Sequence, residues 1–229
     1  MAAVFITGTD TDCGKTYFSE FLLRGLSNLG LKVTGMKPIA TGIDELTGDN
    51  EDVRRLTAAS HPDVRLRPDL INQYCFNQPC SPNIAADLNN VEIDLSNILE
   101  SFSDLSSNYE FVVVEGVGGW EVPIGTDLSV ADLAIALDIP AILVVGMKLG
   151  CINHAILSAD AMQESGVQIL GWIANFYDSE LKSPNEVLTT LTQRIKLPLL
   201  RKLSKGGSTY SANKVASAVL DKLGEVDCF

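Results

Sequence analysis

The sequence has few histidines, and the spacing of its cysteines fits neither a metal centre nor a framework of disulfide bonds. The 229 residues include two histidines and five cysteines, with no CxxC pair. Cys151 and His154 lie close together, but no second ligand pair accompanies them, so a metal centre built on these residues is not predicted. An odd number of cysteines without paired spacing is typical of a reducing compartment, and we expect a cytoplasmic protein.

Basic residues and long apolar runs are also few. Lysine and arginine total 17 against 29 acidic residues, and the net charge of −12 argues against a protein that binds nucleic acid through its phosphates. Apolar runs such as Ile139–Val145 are far shorter than a membrane span, and the N-terminus lacks a signal-peptide pattern, so no membrane association is expected. The hydrophobic fraction of 46% allows a sizeable core, and the length predicts one domain over residues 1–229.

The most informative segment present is G-T-D-T-D-C-G-K-T, from Gly8 to Thr16. It follows an apolar run and precedes a helical pattern, which is the layout of a phosphate-binding P-loop. In such a loop Gly14 lets backbone N–H groups approach a polyphosphate, Lys15 supplies a positive charge, and the Thr16 hydroxyl is suited to bind Mg²⁺. Five residues separate the two glycines, where the common pattern has four. The segment predicts binding of a nucleoside triphosphate.

Strand-like and helix-like segments alternate along the chain, which predicts an α/β fold: a P-loop NTPase-like parallel sheet with helices on both faces. The strand candidates are rich in Val and Ile and lack strict alternation, as expected for buried parallel strands. They are Ala3–Thr7, Val33–Met36, Phe111–Glu115, Ala141–Val145, Gln168–Ala174 and Leu197–Leu200. The helix candidates are Thr16–Leu29, Asp52–Ala59, Leu95–Ser106, Ser129–Leu137, Asn153–Ser165, Asn185–Ile195 and Ser211–Leu223.

Ligands of such sheets bind beyond the carboxyl ends of the strands, and the second strand ends at Lys37. Pro38 fixes the direction of the following chain, which favours a site role for Lys37 over that of an ordinary surface lysine. A second cation beside Lys15 would stabilise charge on a transferring phosphoryl group. Thr41 lies four residues further on, and its hydroxyl is placed either to bind a substrate or to face solvent.

The third strand ends at Glu115, followed by the glycine-rich segment Gly116–Gly119. A carboxylate after an apolar strand is how P-loop enzymes present a metal ligand, and Glu115 can bind Mg²⁺ directly or through water. Spacing alone predicts Asp52 as a helix cap, although it could also be a metal carboxylate. Asn175, at the end of the fifth strand, carries an amide that can pair with a purine edge.

These motifs together resemble the dethiobiotin synthetase family. The resemblance extends from Phe5 to about Leu200 and rests on five segments: GTDTDCGKT, GMKPIATG, VVVEGVGGW, ILVVGMKLGCINHA and GWIAN. The family shares the longer P-loop. The resemblance implies an ATP- and Mg²⁺-dependent ligase of biotin biosynthesis, which joins CO₂ (or bicarbonate) to 7,8-diaminopelargonate. An N-carbamate and a carbamic–phosphoric anhydride precede closure of the cyclic urea, with ADP and phosphate released.

The resemblance also implies roles for individual residues. Lys37, Lys15 and Thr11 would be catalytic, and Thr16, Asp52 and Glu115 would hold Mg²⁺. The nucleotide would be bound by Asp12, Cys13, Gly14, Lys15, Thr16, Tyr17, Glu115, Gly116, Gly118 and Asn175. The substrate would be bound by Lys37, Thr41, Gly118, Gly150, Cys151, Ile152 and Asn153.

In this family the segment Gly150–Asn153 of one subunit holds the substrate carboxylate near the phosphate site of its partner. The resemblance therefore implies a homodimer with shared sites. The chain departs from the family after Leu200, where it reads R-K-L-S-K-G-G instead of a proline-containing loop against the base. Selectivity for the nucleobase does not follow from the resemblance.

Three other P-loop classes fit less well. A partitioning or septum-positioning ATPase would carry an extra lysine early in the P-loop, where this chain has Asp10, Thr11 and Asp12, and membrane-targeted versions end in a basic helix, whereas residues 223–229 are acidic. An amide-forming enzyme of cobyric acid synthesis would need a glutamine amidotransferase region. A GTPase would need N-K-x-D, and the segment at Asn213 lacks the acid.

Overall fold

In the computed structural model, which describes residues 2–177, 179–206 and 208–226, strands and helices alternate along the chain. Part of the acidic end considered above, including Cys228, lies outside these residues. The strands are β1 (Ala2–Gly8), β2 (Val33–Met36), β3 (Ile39–Thr41), β4 (Tyr74–Phe76), β5 (Phe111–Glu115), β6 (Ala141–Gly146), β7 (Ile169–Asn175) and β8 (Leu199–Leu203). The helices are α1 (Lys15–Asn28), α2 (Glu51–Ala59), α3 (Pro68–Ile71), α4 (Pro82–Asn89), α5 (Leu95–Asn108), α6 (Val130–Leu137), α7 (Cys151–Glu164), α8 (Pro184–Arg194) and α9 (Thr209–Val226), with a 3₁₀ helix at Pro62–Leu66.

Six strands form one parallel sheet in the order β2-β5-β1-β6-β7-β8. The predicted α/β class and the parallel sheet are confirmed. Because β1 lies near the middle, the P-loop that follows it has the ends of β5 and β2 on one side and those of β6 and β7 on the other.

The two faces of the sheet bury separate apolar clusters, as period-2 alternation along β1 shows. Phe5 packs into a cluster formed largely with α4–α8, whereas Val4 and Ile6 pack against α1, α2 and α9. Both faces are therefore covered by helices, which explains why the strands are apolar throughout. Within the described residues, no helix is both long and apolar enough to cross a membrane.

The segment between β2 and α5 is more ordered than the sequence indicated. It contains elements that were not among the predicted strands and helices: a two-stranded parallel sheet of β3 and β4, the short helix α3 and the eight-residue helix α4. Strands of three residues give no readable periodicity, and Pro82 stands at the first position of α4, where proline is tolerated.

Candidate active site

The loop between β1 and α1 is shaped by its glycines. Gly14 has φ 93°, a left-handed conformation, and a Cβ there would lie 1.9 Å from the Asn175 amide nitrogen. A Cβ at Gly8 would lie 2.2 Å from Cys13 Sγ, and Cys13 itself is buried. A side chain at either position would therefore displace Cys13 or Asn175, and the left-handed backbone of Gly14 favours glycine in addition. The loop opens onto the N-terminus of α1, which carries partial positive charge.

Lys15 is held across this loop. Its Nζ donates to the Asp10 carbonyl oxygen at 2.9 Å, and the side chain is largely buried. The Asp10 carboxylate pairs in turn with Lys148 at 2.8 Å, on the exposed side of the loop. The hydrogen bond from Lys148 lowers the pKa of Asp10 below its usual value. These contacts position the predicted phosphate-binding lysine at the start of α1.

Thr16 lies between two carboxylates. Its hydroxyl oxygen is 2.7 Å from Asp52 Oδ1 and 2.7 Å from Glu115 Oε1. A hydroxyl has one proton and can donate to only one of them. The other Glu115 oxygen, Oε2, is buried without a hydrogen-bond partner among the described residues. An oxygen-rich set with an unsatisfied carboxylate oxygen is what Mg²⁺ prefers, so Thr16, Asp52 and Glu115 fit that ion.

These three residues would be only part of a magnesium shell. The described residues contain no group of three or more His, Cys, Asp or Glu side chains suited to a metal. Mg²⁺ is commonly held by one or two carboxylates, with phosphate oxygens and water completing its coordination. The paired carboxylates and the Thr16 hydroxyl agree with that pattern, and not with a site built from protein ligands alone.

Lys37 is buried against the same carboxylates. Its Nζ lies 2.7 Å from Glu115 Oε1, 3.0 Å from Asp52 Oδ2 and 3.0 Å from the Gly116 carbonyl oxygen. Burial by itself would lower the pKa of Lys37, but the charges of Glu115 and Asp52 outweigh it and raise the pKa above its usual value. Lys37 is therefore a protonated, preorganised cation beside the phosphate loop.

The sheet explains why Lys37, Glu115 and Thr16 meet. Met36 of β2 pairs with Val114 of β5, so both strands end at the same level and present Lys37 and Glu115 side by side. Glu115 is also in register with Ile6 of β1, which precedes the P-loop. Residues distant in sequence converge because parallel strands share one carboxyl edge.

Asp52 reaches the site from outside the main sheet. The prediction from spacing that Asp52 caps its helix is wrong, because the cap of α2 is Asn50, whose side chain accepts from the Val53 N–H. The Asn50 amide also donates to the carbonyl oxygens of Thr41 and Gly42, which ties α2 to the end of β3. Burial would raise the pKa of Asp52, but Lys37 and Thr16 lower it overall.

A cavity of about 700 Å³ opens over these residues. Ten predicted site residues line it: Thr11, Asp12, Gly14, Lys15, Thr16, Tyr17, Lys37, Thr41, Asp52 and Gly118. The cavity is large enough for two small ligands side by side. Its lining places the phosphate loop, the Thr41 hydroxyl and the glycine-rich segment after β5 around one space.

Four other predicted residues lie behind the cavity wall. Glu115 and Cys13 are buried beneath it, and Gly116 offers its carbonyl oxygen to Lys37. Asn175 is also buried: its amide nitrogen donates to the Cys13 carbonyl at 3.0 Å and its oxygen accepts from the Tyr177 N–H. Asn175 thus supports the P-loop from below, and its contact with a base stays a prediction.

The segment Gly150–Asn153 is not part of the cavity of its own chain. It forms the start of α7, where Gly150 has φ 92° and precedes the first helical residue, Cys151. Asn153 is exposed, and Ile152 is half-buried. The resemblance predicts that the segment Gly150–Asn153 binds the substrate, and this role stays a prediction.

Several cavity residues were not predicted from the sequence. They are Glu51, Arg55, Pro79, Cys80, Ser81, Pro82, Val117, Val122 and Tyr177. Arg55 is held by Glu20 of α1, whose Oε2 accepts hydrogen bonds from both Nε and Nη2 of the arginine. Pro79–Pro82 follow β4, a strand too short to be recognised. Tyr177 follows Asn175, the last residue of β7, by two positions. Its place just beyond the carboxyl end of a buried strand was the one sequence signal that could have marked it as a site residue.

The fold and this site define a P-loop nucleotide-binding protein of the α/β class. Solved structures of low identity share the fold: ParA of pNOB8 bound to nonspecific DNA (TM-score 0.62, 10% identity, 98% of this chain and 99% of that one) and cobyrinic acid a,c-diamide synthase from Mycobacterium smegmatis with bound ADP and magnesium (TM-score 0.56, 14%, 98% and 96%). MinD from Pyrococcus horikoshii complexed with Mg-ADP is similar too (TM-score 0.52, 16%, 98% of each).

The sequence relatives identify the family. A family model described as AAA domain matches residues 2–206. The ATP-dependent dethiobiotin synthetase of Aromatoleum aromaticum is 44% identical over 200 residues, which cover 86% of this chain and 88% of the relative. That of Xanthomonas axonopodis is 43% identical over the same coverage. The chain belongs to the ATP-dependent dethiobiotin synthetase family, as its motifs indicated.

Proposed function

We propose that this protein is an ATP-dependent dethiobiotin synthetase, which converts 7,8-diaminopelargonate, CO₂ and ATP into dethiobiotin, ADP and phosphate. The observation that carries the proposal is the buried contact of Lys37 with Glu115 and Asp52, directly beside Lys15 and Thr16 of the P-loop. Two lysines and two carboxylates around one phosphate site suit a phosphoryl transfer, and the family assignment supports this particular reaction.

The reaction balances in three steps. An amine of the substrate attacks CO₂, loses a proton and becomes a carbamate. A carbamate oxygen then attacks the γ-phosphorus of ATP, and ADP leaves. The second amine attacks the carbonyl carbon of the resulting anhydride and loses a proton, the cyclic urea closes, and phosphate leaves. Because vicinal amines close such a ring readily, the task of the protein is to position the groups and to stabilise negative charge.

The side chains divide this task. Lys15 and the P-loop backbone bind the phosphates, and Lys37 stabilises the negative charge shared by carbamate and γ-phosphate. Thr11, Thr41 and Gly118, which line the same cavity, bind the carbamate or the diamine. Thr16, Asp52 and Glu115 hold Mg²⁺, which supplies charge neutralisation at the phosphates when bound. The buried Glu115 Oε2 supports this assignment.

We further propose a homodimer in which Gly150–Asn153 of one subunit binds the substrate carboxylate in the site of the other. The segment lies at the N-terminus of α7 and does not line the cavity of the same chain. Both features suit a segment that binds an anionic group in the cavity of the partner subunit. Leu149 and Leu157 beside it are 94% and 61% exposed, which supports an interface there. We propose one domain over residues 1–229 and a cytoplasmic location, the latter on the pattern of cysteine use.

The direct test is phosphate release from Mg-ATP and bicarbonate, with and without 7,8-diaminopelargonate, with the product identified by mass spectrometry. We expect phosphate release that depends on the diamine and a matching amount of dethiobiotin. Hydrolysis that is independent of the diamine and yields no cyclic urea would instead indicate a switch ATPase on the same fold.

A further inference from the structure

Helix α2 carries Asp52, and little apolar packing holds this helix in place. Among its residues, all of which the structure describes, Leu56 alone is buried. Leu56 packs into the apolar cluster that α1 shares with the sheet, whereas Asp52 and Arg55 are half-buried. Because helices in proteins are stabilised mainly by tertiary packing, a helix with one buried side chain depends on its polar contacts for its placement.

A charged pair joins α2 to α1 one turn beyond the residues that would bind the metal. Glu20 lies four residues after Thr16 on α1. Arg55 lies three residues after Asp52 on α2, so the members of each set share one helix face. Glu20 Oε2 accepts hydrogen bonds from Arg55 Nε at 2.9 Å and from Nη2 at 2.7 Å. Together with the 2.7 Å contact between Thr16 and Asp52, this pair connects the two helices at successive turns.

The contact at the first of these turns involves groups that ligands would engage. In the proposed function Thr16 binds Mg²⁺ and Lys37 faces the transferring phosphoryl group, and both of these residues contact Asp52. The Thr16 hydroxyl has only one proton, for which Glu115 competes with Asp52. The contact at the second turn includes none of these groups, so it stays in place when they turn to ligands.

Glu20 is held from two sides, and only one of its partners belongs to α2. Arg24, which lies one turn further along α1, contacts Glu20 Oε1 and is 64% exposed. Arg55 is 31% exposed, and its two donors on one acceptor restrict the orientation of its planar guanidinium group. Arg55 also lines the cavity, with Nη1 3.7 Å from Glu51 Oε1. A direct effect of its charge on a ligand must therefore be distinguished from an effect through Glu20.

We propose that Arg55 is a positioning residue for the metal site: its contact with Glu20 fixes α2 against α1 and so holds the Asp52 carboxylate where Mg²⁺ binds. The inference rests on the proposed function for the assignment of Asp52 to the metal. Glu115 needs no such support, because it belongs to β5, a strand whose residues are all buried. The sheet thus holds one carboxylate of the site, and a link between two helices holds the other.

The test separates position from charge by the sign of the effect. Loss of a positive charge near the cavity would by itself strengthen the binding of Mg²⁺, whereas loss of a positioning contact weakens it. We would measure ADP binding by calorimetry at a series of Mg²⁺ concentrations and in EDTA. We expect Arg55→Met to raise the Mg²⁺ concentration needed for half-maximal ADP binding by about tenfold. ADP binding in EDTA should change less than about twofold, because the P-loop contacts to phosphate are intact.

Arg24→Met is the matched control, since it removes a cation from the same carboxylate without disconnecting α2. We expect it to change the Mg²⁺ requirement less than about twofold. Glu20→Gln breaks the contact from the side of α1, and it keeps the test decisive if Arg55→Met does not fold. The double variant of Glu20→Gln and Arg55→Met leaves the net charge unchanged. It should need no more Mg²⁺ than Arg55→Met alone, because the arginine acts through Glu20.

Three results would overturn the inference. They are an unchanged or lower Mg²⁺ requirement in Arg55→Met, an equal weakening of ADP binding in EDTA, which would make Arg55 a nucleotide contact, and an equal effect of Arg24→Met. Asp52→Asn distinguishes this failure from that of the proposed function. An unchanged Mg²⁺ requirement in Asp52→Asn would overturn the metal assignment and the inference with it. A requirement raised in Asp52→Asn but not in Arg55→Met would overturn the inference alone.

Discussion

Lys37 and Glu115 form an ion pair in the interior of the protein, with Nζ 2.7 Å from Oε1 and side chains 3% and 0% exposed. Neighbouring strands deliver the two residues to one level of the sheet edge. Each charge has lost its hydration and depends on the other, so the pair is a site where chemistry and stability are coupled.

Replacing Lys37 with glutamine should remove the cation that faces the phosphoryl group. We expect Lys37→Gln to lower kcat for dethiobiotin formation by at least about 100-fold, while the Kd for Mg-ADP changes little because Lys15 and Thr16 remain. Lys32→Gln is the control, since Lys32 precedes the same strand and pairs with Asp63 at the surface. Near-normal turnover in Lys37→Gln would remove this lysine from the mechanism.

The same pair allows a double-mutant cycle for stability. Glu115→Leu leaves the buried Lys37 with one carboxylate, that of Asp52, and with the Gly116 carbonyl oxygen. We expect the substitution to lower the free energy of unfolding by about 3–5 kcal/mol. Adding Lys37→Met should recover at least half of that loss, because the deeply buried lysine charge is then absent. Urea unfolding of the four proteins measures both values. Simple addition of the two single effects would show that the residues are not coupled.

Alanine substitutions at Gly14 and Gly30 allow the cost of a left-handed backbone to be measured separately from the cost of a side-chain clash. Both have nearly the same φ, 93° and 92°, but a Cβ at Gly14 would strike the Asn175 amide and one at Gly30 meets nothing within 4 Å. We expect Gly30→Ala to cost about 1 kcal/mol from its left-handed backbone alone. Gly14→Ala should cost more and also weaken Mg-ADP binding. Thermal unfolding and calorimetry check the pair, and equal effects at both positions would contradict the clash.

Asn50 connects helix capping to the placement of Asp52. Asn50→Ala should raise the Mg²⁺ concentration needed for half-maximal nucleotide binding by about tenfold, because the start of α2 loses its link to Thr41 and Gly42. Asp94→Ala is the matched control, since Asp94 caps α5 away from the cavity. Both variants should lose about 1 kcal/mol of stability. A similar magnesium requirement in the two variants would show that the cap does not position Asp52.

Subunit mixing tests the shared site. In the proposed dimer, each site takes Lys37 from one subunit and Asn153 from the other. A heterodimer of Lys37→Gln and Asn153→Ala therefore has one site that carries both substitutions and one site that carries neither. We expect each variant alone to be poorly active and the denatured and refolded mixture to recover about one quarter of wild-type activity. For Asn153→Ala alone, the KM for the diamine should rise more than that for ATP. No recovery on mixing would place all the site residues in one subunit.

Local sequence was enough to predict the P-loop, the alternation of strands and helices, and the candidate lysine and carboxylate. Each depends on contacts between neighbours in the chain or on the burial of a whole strand. Gly14 and Lys15 could be assigned because the loop requires those residue types at that spacing. The resemblance to the family indicated the same residues.

Only the tertiary structure decided which residues face each other. Spacing predicted Asp52 as the cap of α2, whereas the cap is Asn50, whose amide nitrogen also bonds the carbonyl groups of Thr41 and Gly42 across a loop that spacing does not reveal. Nor could it reveal that Asn175 lies beneath the P-loop while Tyr177 lines the cavity. The sequence by itself determined the kinds of chemistry available and the strands that carry them. Their arrangement around one cavity followed from strand order and register, which depend on contacts between distant parts of the chain.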